Sequence, residues 1–363
     1  MSASGTNGAA KTNGTAEPSG PRVLTKADFQ SDAETRWCPG CGDYAVLAAV
    51  QGFLPEVGVP PERTVFVSGI GCAGRFSYYM NTYGVHGIHG RAPALASGLA
   101  AARPDLSVWV VSGDGDALSI GGNHLIHALR RDVPLKILLF NNRIYGLTKG
   151  QVSPTSERGK VTKSTPFGSP DEPFNPVALA LGAGATFVAR TIDRDKHHLP
   201  AMLRAAVAHP GAALIEIYQN CPVYNDGAFD ALTEKDTRDD ALVMLEHGQP
   251  IRFGADGKHG IVRRADGDLE VAEVADVGEN ALLVHDAHRT DPSLAFALSQ
   301  IGELDGGATP IGIFRQSPRA SDAAARTAEL SAARASFTAA DLAKLLHGSN
   351  TWSVGASGAG AER

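Results

Sequence analysis

At 363 residues the chain can bury one large core or two ordinary ones, and 43% apolar with 20% charged residues is a globular make-up. A formal net charge of −6 gives no reason to expect nucleic acid, and no apolar run reaches the roughly 18 residues a membrane helix needs. Four cysteines in so long a chain make no disulfide framework; the one Cys-x-x-Cys pair among them suggests a metal or redox site.

The opening MSASGTNGAAKTNGTAEPSG lacks an apolar h-region, so it is not expected to be a secretory signal. Residues 1–22 are expected to be a disordered leader, and the cytoplasm is the default location. Residues 23–36 are polar with scattered apolar anchors and predict an extended entry segment. Next comes Trp37-Cys38-Pro39-Gly40-Cys41-Gly42-Asp43-Tyr44, a tight turn that leads into a helix from Tyr44 to Phe53. Cys38 and Cys41 on such a turn can both reach one metal, and nearby backbone N–H groups can donate to sulfur.

The run from Val65 is a strand that ends in Gly69-Ile70-Gly71-Cys72-Ala73-Gly74-Arg75, a glycine-rich loop carrying the third thiol. Gly87-Ile88-His89-Gly90-Arg91 forms another such loop before an Ala-rich helix over 92–102. His89 and Arg91 there could meet a phosphate or a cofactor ring; the alternative is an ion-paired surface pair. The fourth thiol, Cys221, follows a strand from Ala213 to Gln219. Each cysteine alone could be a small buried hydrophobe, but all four stand beside Gly or Pro and none lies within a strand. Four thiolates suit zinc as well as a [4Fe–4S] cluster.

The centre is VVSGDGDALSIGGNHLIHALRRDVPLKILLFNNRIYG. An apolar run (Val108 to Val111) breaks at Gly113-Asp114-Gly115. An amphipathic segment (Ile120, His124, Leu125, Ala128, Leu129) and a second strand from Leu135 to Phe140 follow, ending in Asn141-Asn142. This βαβ unit puts both strand-end loops at one sheet edge, so Asp114 and Asn142 become neighbours. A carboxylate, an amide oxygen and a nearby carbonyl are hard donors suited to Mg²⁺ that keeps phosphate oxygens as further ligands. Gly113 and Gly115 let the backbone turn sharply beside a diphosphate. A GDG turn in an ordinary dinucleotide-type unit is the alternative. Asp116, at the helix start, also favours the helix dipole.

Beyond Asn142 a polar loop, Gly146-Leu147-Thr148-Lys149-Gly150-Gln151-Val152-Ser153-Pro154-Thr155, lies past a strand's C-terminal end, where open α/β sheets bind ligands. Residues 160–175 read as a connection. Asn175 to Gly182, Ala185 to Arg190, Lys196 to Ala208 and Ala213 to Gln219 read as helix, strand, helix, strand, with His197 and His198 as surface residues. The fold class is therefore α/β, a doubly wound and mostly parallel sheet over 23–230. Residues 231–317 read as a C-terminal extension with short β elements, a helix (Ser293 to Ile301) and a strand (Pro310 to Phe314). Residues 318–363 read as a peripheral, weakly helical and partly disordered tail.

GDG, a spacer and NN after an apolar strand resemble the thiamine-diphosphate signature, which implies Mg²⁺ held by Asp114, Asn142 and the Ile144 carbonyl. WCPGCG, GIGCAGR, HGRAPALASG, GDGDALSIGGNH, NNRIYGLTKGQVSPT and NCP together resemble the β subunit of 2-oxoacid:ferredoxin oxidoreductases, over Trp37 to Tyr224. The resemblance implies one [4Fe–4S] cluster on Cys38, Cys41, Cys72 and Cys221. It implies thiamine diphosphate bordered by Ile70, Gly71, Cys72, Ala73, His89, Gly113, Gly115, Asp116, Gly146 and Leu147. It further implies oxidative decarboxylation of a 2-oxoacid with coenzyme A as acyl acceptor and ferredoxin as electron acceptor. Lys149 is the expected cation for the distal carboxylate of 2-oxoglutarate; pyruvate or another oxoacid is the alternative. The glutamate that activates thiamine belongs to a second thiamine domain, so an α subunit is expected as partner in an αβ or α₂β₂ assembly. A non-oxidative decarboxylase with a structural zinc, and a regulatory module without chemistry, are the other readings.

Overall fold

In this computed structural model, residues 23–302, 307–319, 322–350 and 352 are described. The expected leader, and much of the tail's end, lie outside them.

The entry segment is not simply extended. Lys26–Phe29 winds into a 3₁₀ turn that buries Phe29 against helix α1 (Asp43–Val57). That helix runs past Phe53 and stops at Gly58, whose φ of 72° is the left-handed C-terminal cap. Strands β1 (Thr64–Ser68) and β2 (Tyr83–His86) precede α2 (Ala92–Ala102). Strand β3 (Ser107–Gly113) leads into α3 (Asp114–Leu118) and α4 (Gly122–Arg130), and β4 (Lys136–Asn141) follows. Then come α5 (Pro176–Gly182), β5 (Phe187–Ile192), α6 (His198–Ala208) and β6 (Ala213–Tyr218).

The expected single amphipathic helix after Gly115 is therefore two helices. The chain breaks at Ser119–Gly121, where Gly121 packs so tightly that a Cβ would come within 2.4 Å of the Asp116 carbonyl. The break lets α3 stay short beneath the sheet edge while α4 turns its apolar face to the core.

Strands β2, β1, β3, β4, β6 and β5 pair in that order, all parallel. Inward residues alternate as a two-faced sheet requires. Val65, Val67, Val108, Val110, Ile137 and Leu139 face α2, α4 and α5, whereas Phe66, Trp109, Val111, Leu138 and Phe140 face α1 and α6. Helices on both faces make the sheet doubly wound, and its parallel strands bring every strand-end loop to one edge.

The sheet continues into the segment read as an extension. After β7 (Leu242–Leu245), strands β8 (Arg252–Phe253), β9 (His259–Arg263) and β10 (Leu269–Glu273) form a small antiparallel sheet of their own. Helix Ser293–Gln300 packs beside α5. Strand β11 (Thr309–Gln316) then joins β5 antiparallel and β7 parallel, giving eight strands. Helices Asp322–Ser336 and Ala339–His347 follow, with Leu345 and Leu346 exposed. Among the described residues, no helix is long and apolar enough to cross a membrane.

Candidate active site and cluster site

The C-terminal ends of β1, β2, β3 and β4 converge on one cleft of about 370 Å³. Ile70, Gly71, Cys72, Ala73, His89, Gly113, Asp114, Gly115, Asp116, Asn142, Ile144, Gly146 and Leu147 all line it. These come from four separate loops, so the parallel topology assembles what the sequence scatters.

Asp114 is buried at the mouth of β3, and burial pushes its carboxyl up to about 6 against hydroxyls of Ser153 and Thr155 that favour the charged form. Thr155 Oγ1 lies 2.6 Å from Asp114 Oδ2 and 2.8 Å from Asn141 Oδ1. Asn141 in turn donates to Glu216 at 2.7 Å, and Glu216 accepts from Arg190 Nε at 2.7 Å across adjacent strands. A buried carboxylate with open space before it, and no cation beside it among the described residues, suits a divalent ion. Asn142 Oδ1 accepts the Ile144 N–H at 3.2 Å, an Asx-type turn that fixes Asn142 and Ile144 side by side. The Asn142 carbonyl accepts from Asn225 Nδ2 at 2.9 Å.

The GDG turn is fitted to Tyr145. A Cβ on Gly115 would meet the Tyr145 ring at 2.2 Å, while the Tyr145 hydroxyl donates to the Gly115 carbonyl at 2.9 Å. Gly71 has φ of 109°, a conformation open to glycine, and nothing stands within 4 Å of a Cβ there. This leaves bare backbone against the cleft.

Asp116 lines the cleft and is also tied to the chain around it. Its carboxylate is 2% exposed and accepts from the Ile70 and Gly90 N–H groups, His89 Nδ1 and Ser112 Oγ, at 3.1, 2.7, 2.6 and 2.5 Å. Neither a diphosphate contact nor a helix-dipole effect accounts for that set of donors. Asp116 ties the loops after β1, β2 and β3 together. His89 Nδ1 lies 2.6 Å from Asp116 Oδ1, and its ring stands half-buried in the cleft. Arg91 lies outside the cleft lining and reaches toward the Ile120 carbonyl at 3.5 Å.

The four cysteines are free thiols on turns that meet behind Gly146. A Cβ on Gly146 would lie 3.6 Å from both Cys72 Sγ and Cys221 Sγ. Burial pushes the Cys41 thiol well above its ordinary range, with the Asp43 carboxylate and the Cys72 and Cys221 sulfurs adding to it. Cys72 is pushed up to about 12, by burial first and then by Asp43, Cys221 and Cys38. By geometry, the sulfurs of Cys72 and Cys221 stand together beside Gly146. Among the described residues, no group of three or more His, Cys, Asp or Glu side chains is placed to hold a metal ion. The Cys41 and Cys72 thiols would ionise more readily against added positive charge.

Aromatic packing locks the turns. Trp37 Nε1 donates to the Cys72 carbonyl at 2.8 Å, Tyr44 Oη donates to the Trp37 carbonyl at 3.0 Å, and the Trp37 ring packs edge-on against Tyr44 and Tyr79.

Lys149 stands apart. It is exposed, is absent from the cleft lining and has φ of 80° in a loop held by Lys149 N–H to the Gly146 carbonyl at 3.0 Å. His198, expected at the surface, is half-buried and hydrogen-bonded to Thr191 at 2.7 Å, because α6 begins on the sheet edge; His197 is exposed. Asp43, Tyr145, Thr155 and Gln219 are the site residues that motif reading missed. Asp43 directly follows the CPGCG turn and is 1% exposed, its carboxyl pushed up to about 7 by burial. A charged residue fixed at a helix start inside that motif was the available signal.

Comparisons with known proteins agree with this geometry. Residues 69–217 match the family model described as thiamine pyrophosphate enzyme, C-terminal TPP binding domain. The chain is 60% identical over 330 residues to the 2-oxoglutarate oxidoreductase subunit KorB of Mycobacterium tuberculosis, covering 90% of this chain and 88% of that protein. It is 46% identical over 200 residues to subunit beta of 2-oxoacid:ferredoxin oxidoreductase 1 from Aeropyrum pernix, covering 55% of this chain and 63% of that protein. A solved structure of 2-oxoglutarate:ferredoxin oxidoreductase from Magnetococcus marinus, with 2-oxoglutarate, coenzyme A and succinyl-CoA bound, superposes with a TM-score of 0.71 at 30% identity. The superposition covers 89% of this chain and 95% of that one. A strand-edge cleft built on GDG and NN, with four thiols behind it, thus sits in a sequence that aligns almost end to end with such a subunit: the chain belongs to the KorB family, the β subunits of 2-oxoglutarate:ferredoxin oxidoreductases.

Proposed function

We propose that this chain is the thiamine-diphosphate half of an enzyme that converts 2-oxoglutarate, coenzyme A and oxidised ferredoxin to succinyl-CoA, carbon dioxide and reduced ferredoxin. In this reading Asp114, Asn142 and the Ile144 carbonyl hold Mg²⁺ against the diphosphate. Cys38, Cys41, Cys72 and Cys221 hold one [4Fe–4S] cluster. Bound thiamine diphosphate supplies the electron sink for decarboxylation.

The chain's own residues bind, orient and insulate. Asp114 supplies a charge that Thr155 and Ser153 steady. Gly71 and Gly115 leave backbone open to phosphate oxygens, and His89 is turned by Asp116 to present one nitrogen to the cleft. Gly146 is the observation that carries the proposal. It lines the cleft together with Cys72, and a Cβ on it would lie 3.6 Å from both the Cys72 and Cys221 sulfurs, which supports a cluster directly beside the cofactor. Electrons leaving the pocket then have a short path to iron.

Among the residues lining the cleft, the carboxylates are Asp43, Asp114 and Asp116, and no glutamate is present. This supports an α subunit that brings the activating glutamate. The rim offers it apolar surface: Ile70, Ile88, Ile120 and Leu147 are all exposed around the opening. A cytoplasmic αβ or α₂β₂ enzyme is the corresponding assembly.

Iron, acid-labile sulfide and zinc on the anaerobically purified holoenzyme test the cluster, read with an optical spectrum before and after dithionite. About four irons and four sulfides with a visible band that bleaches are expected; one zinc without bleaching would remove ferredoxin from the reaction. Turnover of 2-oxoglutarate by this chain without an α subunit would overturn the half-site reading.

A further inference from the structure

Gln219 directly follows β6, two residues before Cys221, is 1% exposed, and belongs to no motif of the cofactor or the cysteines. Its Nε2 lies 3.2 Å from Cys41 Sγ and 2.6 Å from the Asn220 carbonyl oxygen. We infer that Gln219 is a positioning residue that donates an N–H to the Cys41 sulfur and thereby raises the reduction potential of the cluster. This rests on the [4Fe–4S] reading given above and goes beyond the ligand set.

The amide has one sensible orientation. Turned over, its oxygen would face the Asn220 carbonyl oxygen at hydrogen-bond distance, two acceptors in repulsion. With nitrogen toward both neighbours, one proton serves Asn220 and the second points to sulfur. The Asn220 carbonyl is itself fixed, because it also accepts from the Gly42 N–H at 3.1 Å. The Asn220 N–H donates to Asp193 Oδ2 at 3.0 Å. The partner turn is pressed onto this junction: a Cβ on Gly42 would meet Asp193 Oδ2 at 1.9 Å and Gln219 Cγ at 2.9 Å. Neither the donor nor the sulfur can therefore drift away.

Reduction adds one electron to the cluster and so increases the charge on its sulfurs. A hydrogen bond donated to a ligand sulfur is worth more in the reduced state, which moves the potential upward.

The test compares the wild-type holoenzyme with Gln219→Met, which keeps length and apolar bulk but has no donor. The expected result is unchanged iron and sulfide content with a midpoint potential displaced to more negative values. Pulsed EPR of the reduced cluster, reconstituted in deuterated buffer, should show a coupled exchangeable deuteron in wild type that Gln219→Met lacks. Equal potentials in two fully loaded proteins would overturn the inference. If the variant loses its cluster, the wild-type spectrum decides: a deuteron coupling supports the bond, and its absence overturns it. Zinc in place of iron in the wild-type protein would instead defeat the cluster reading itself.

Discussion

Thr155 Oγ1 stands 2.6 Å from Asp114 Oδ2, although 41 residues separate the two in sequence. It couples the metal-side carboxylate to a buried polar line through Asn141 and Glu216 to Arg190. Removing the hydroxyl leaves Asp114 buried with one donor fewer, and partners of metal ligands typically carry 10- to 100-fold in affinity. Thr155→Val should therefore weaken Mg²⁺-dependent uptake of thiamine diphosphate roughly 10-fold or more. Iron content should stay the same, since Thr155 lies away from the cysteines. Titration of thiamine diphosphate with Mg²⁺ into cofactor-depleted complex measures it, and unaltered affinity would show that Thr155 is a bystander.

Gly115 and Tyr145 make a second prediction. A methyl group on Gly115 would overlap the ring at 2.2 Å, and the ring is held by its bond to the Gly115 carbonyl. Gly115→Ala should move that ring or the turn and cut cofactor occupancy. Adding Tyr145→Ala should restore space and recover part of the binding. Recovery distinguishes this collision from a general loss of the turn; normal occupancy in the single variant would mean the ring yields at little cost.

Much of this site was legible in sequence for a topological reason. A parallel sheet gathers strand-end loops at one edge, so recognising β1, β3, β4 and β6 placed Cys72, Asp114, Asn142 and Cys221 together before any coordinates. The supporting residues were not legible, because their partners lie far away in sequence: Thr155 with Asp114, Gln219 with Cys41, and Asp116 with three loops. Asp116 looked like a capping residue because proximity to a helix start is visible locally, whereas four converging donors are not. The same limit hid β7 and β11. β11 pairs with β5 across more than a hundred residues and β7 joins the sheet only through β11, and their short apolar runs carry no mark of which sheet they join.

Lys149 carries the substrate prediction. Its side chain is exposed on a loop whose backbone is held at φ of 80° for Lys149 and 94° for Gly150. A non-glycine residue kept in that region is a strained position, of a kind that clusters at functional sites. Lys149→Ala should raise the KM for 2-oxoglutarate far more than that for pyruvate, because only the former has a distal carboxylate. Equal effects on both substrates would sink the assignment.

Arg190 and Glu216 form an ion pair with both side chains almost wholly buried. Removing one member strands the other charge in the core, which typically costs about 3–5 kcal/mol. Arg190→Met should lower stability toward urea by about that amount. The double change Arg190→Met with Glu216→Leu should be less damaging than the single one, since no charge is left behind. A single variant as stable as wild type would show that water reaches Glu216.

On the edge opposite the cleft, His209 gives the fold a pH dependence of its own. The ring is 2% exposed, and burial, then the nearby Lys136 ammonium, push its pKa from 6.5 down to about 4. The Thr186 hydroxyl donates to Asp132 at 2.6 Å, so it accepts from His209 Nε2–H at 2.8 Å and needs only a neutral ring. Between pH 6.5 and about 4 the unfolded chain binds a proton here and the folded chain does not. Stability from this group is therefore present above pH 6.5, falls as the pH is lowered through that window, and levels off below it. His209→Gln retains an amide donor for Thr186 and abolishes the titration. The difference in melting temperature between variant and wild type should thus shift in the variant's favour from pH 7 to pH 4.5. A difference that stays constant over that range would mean that His209 keeps the same protonation in both states.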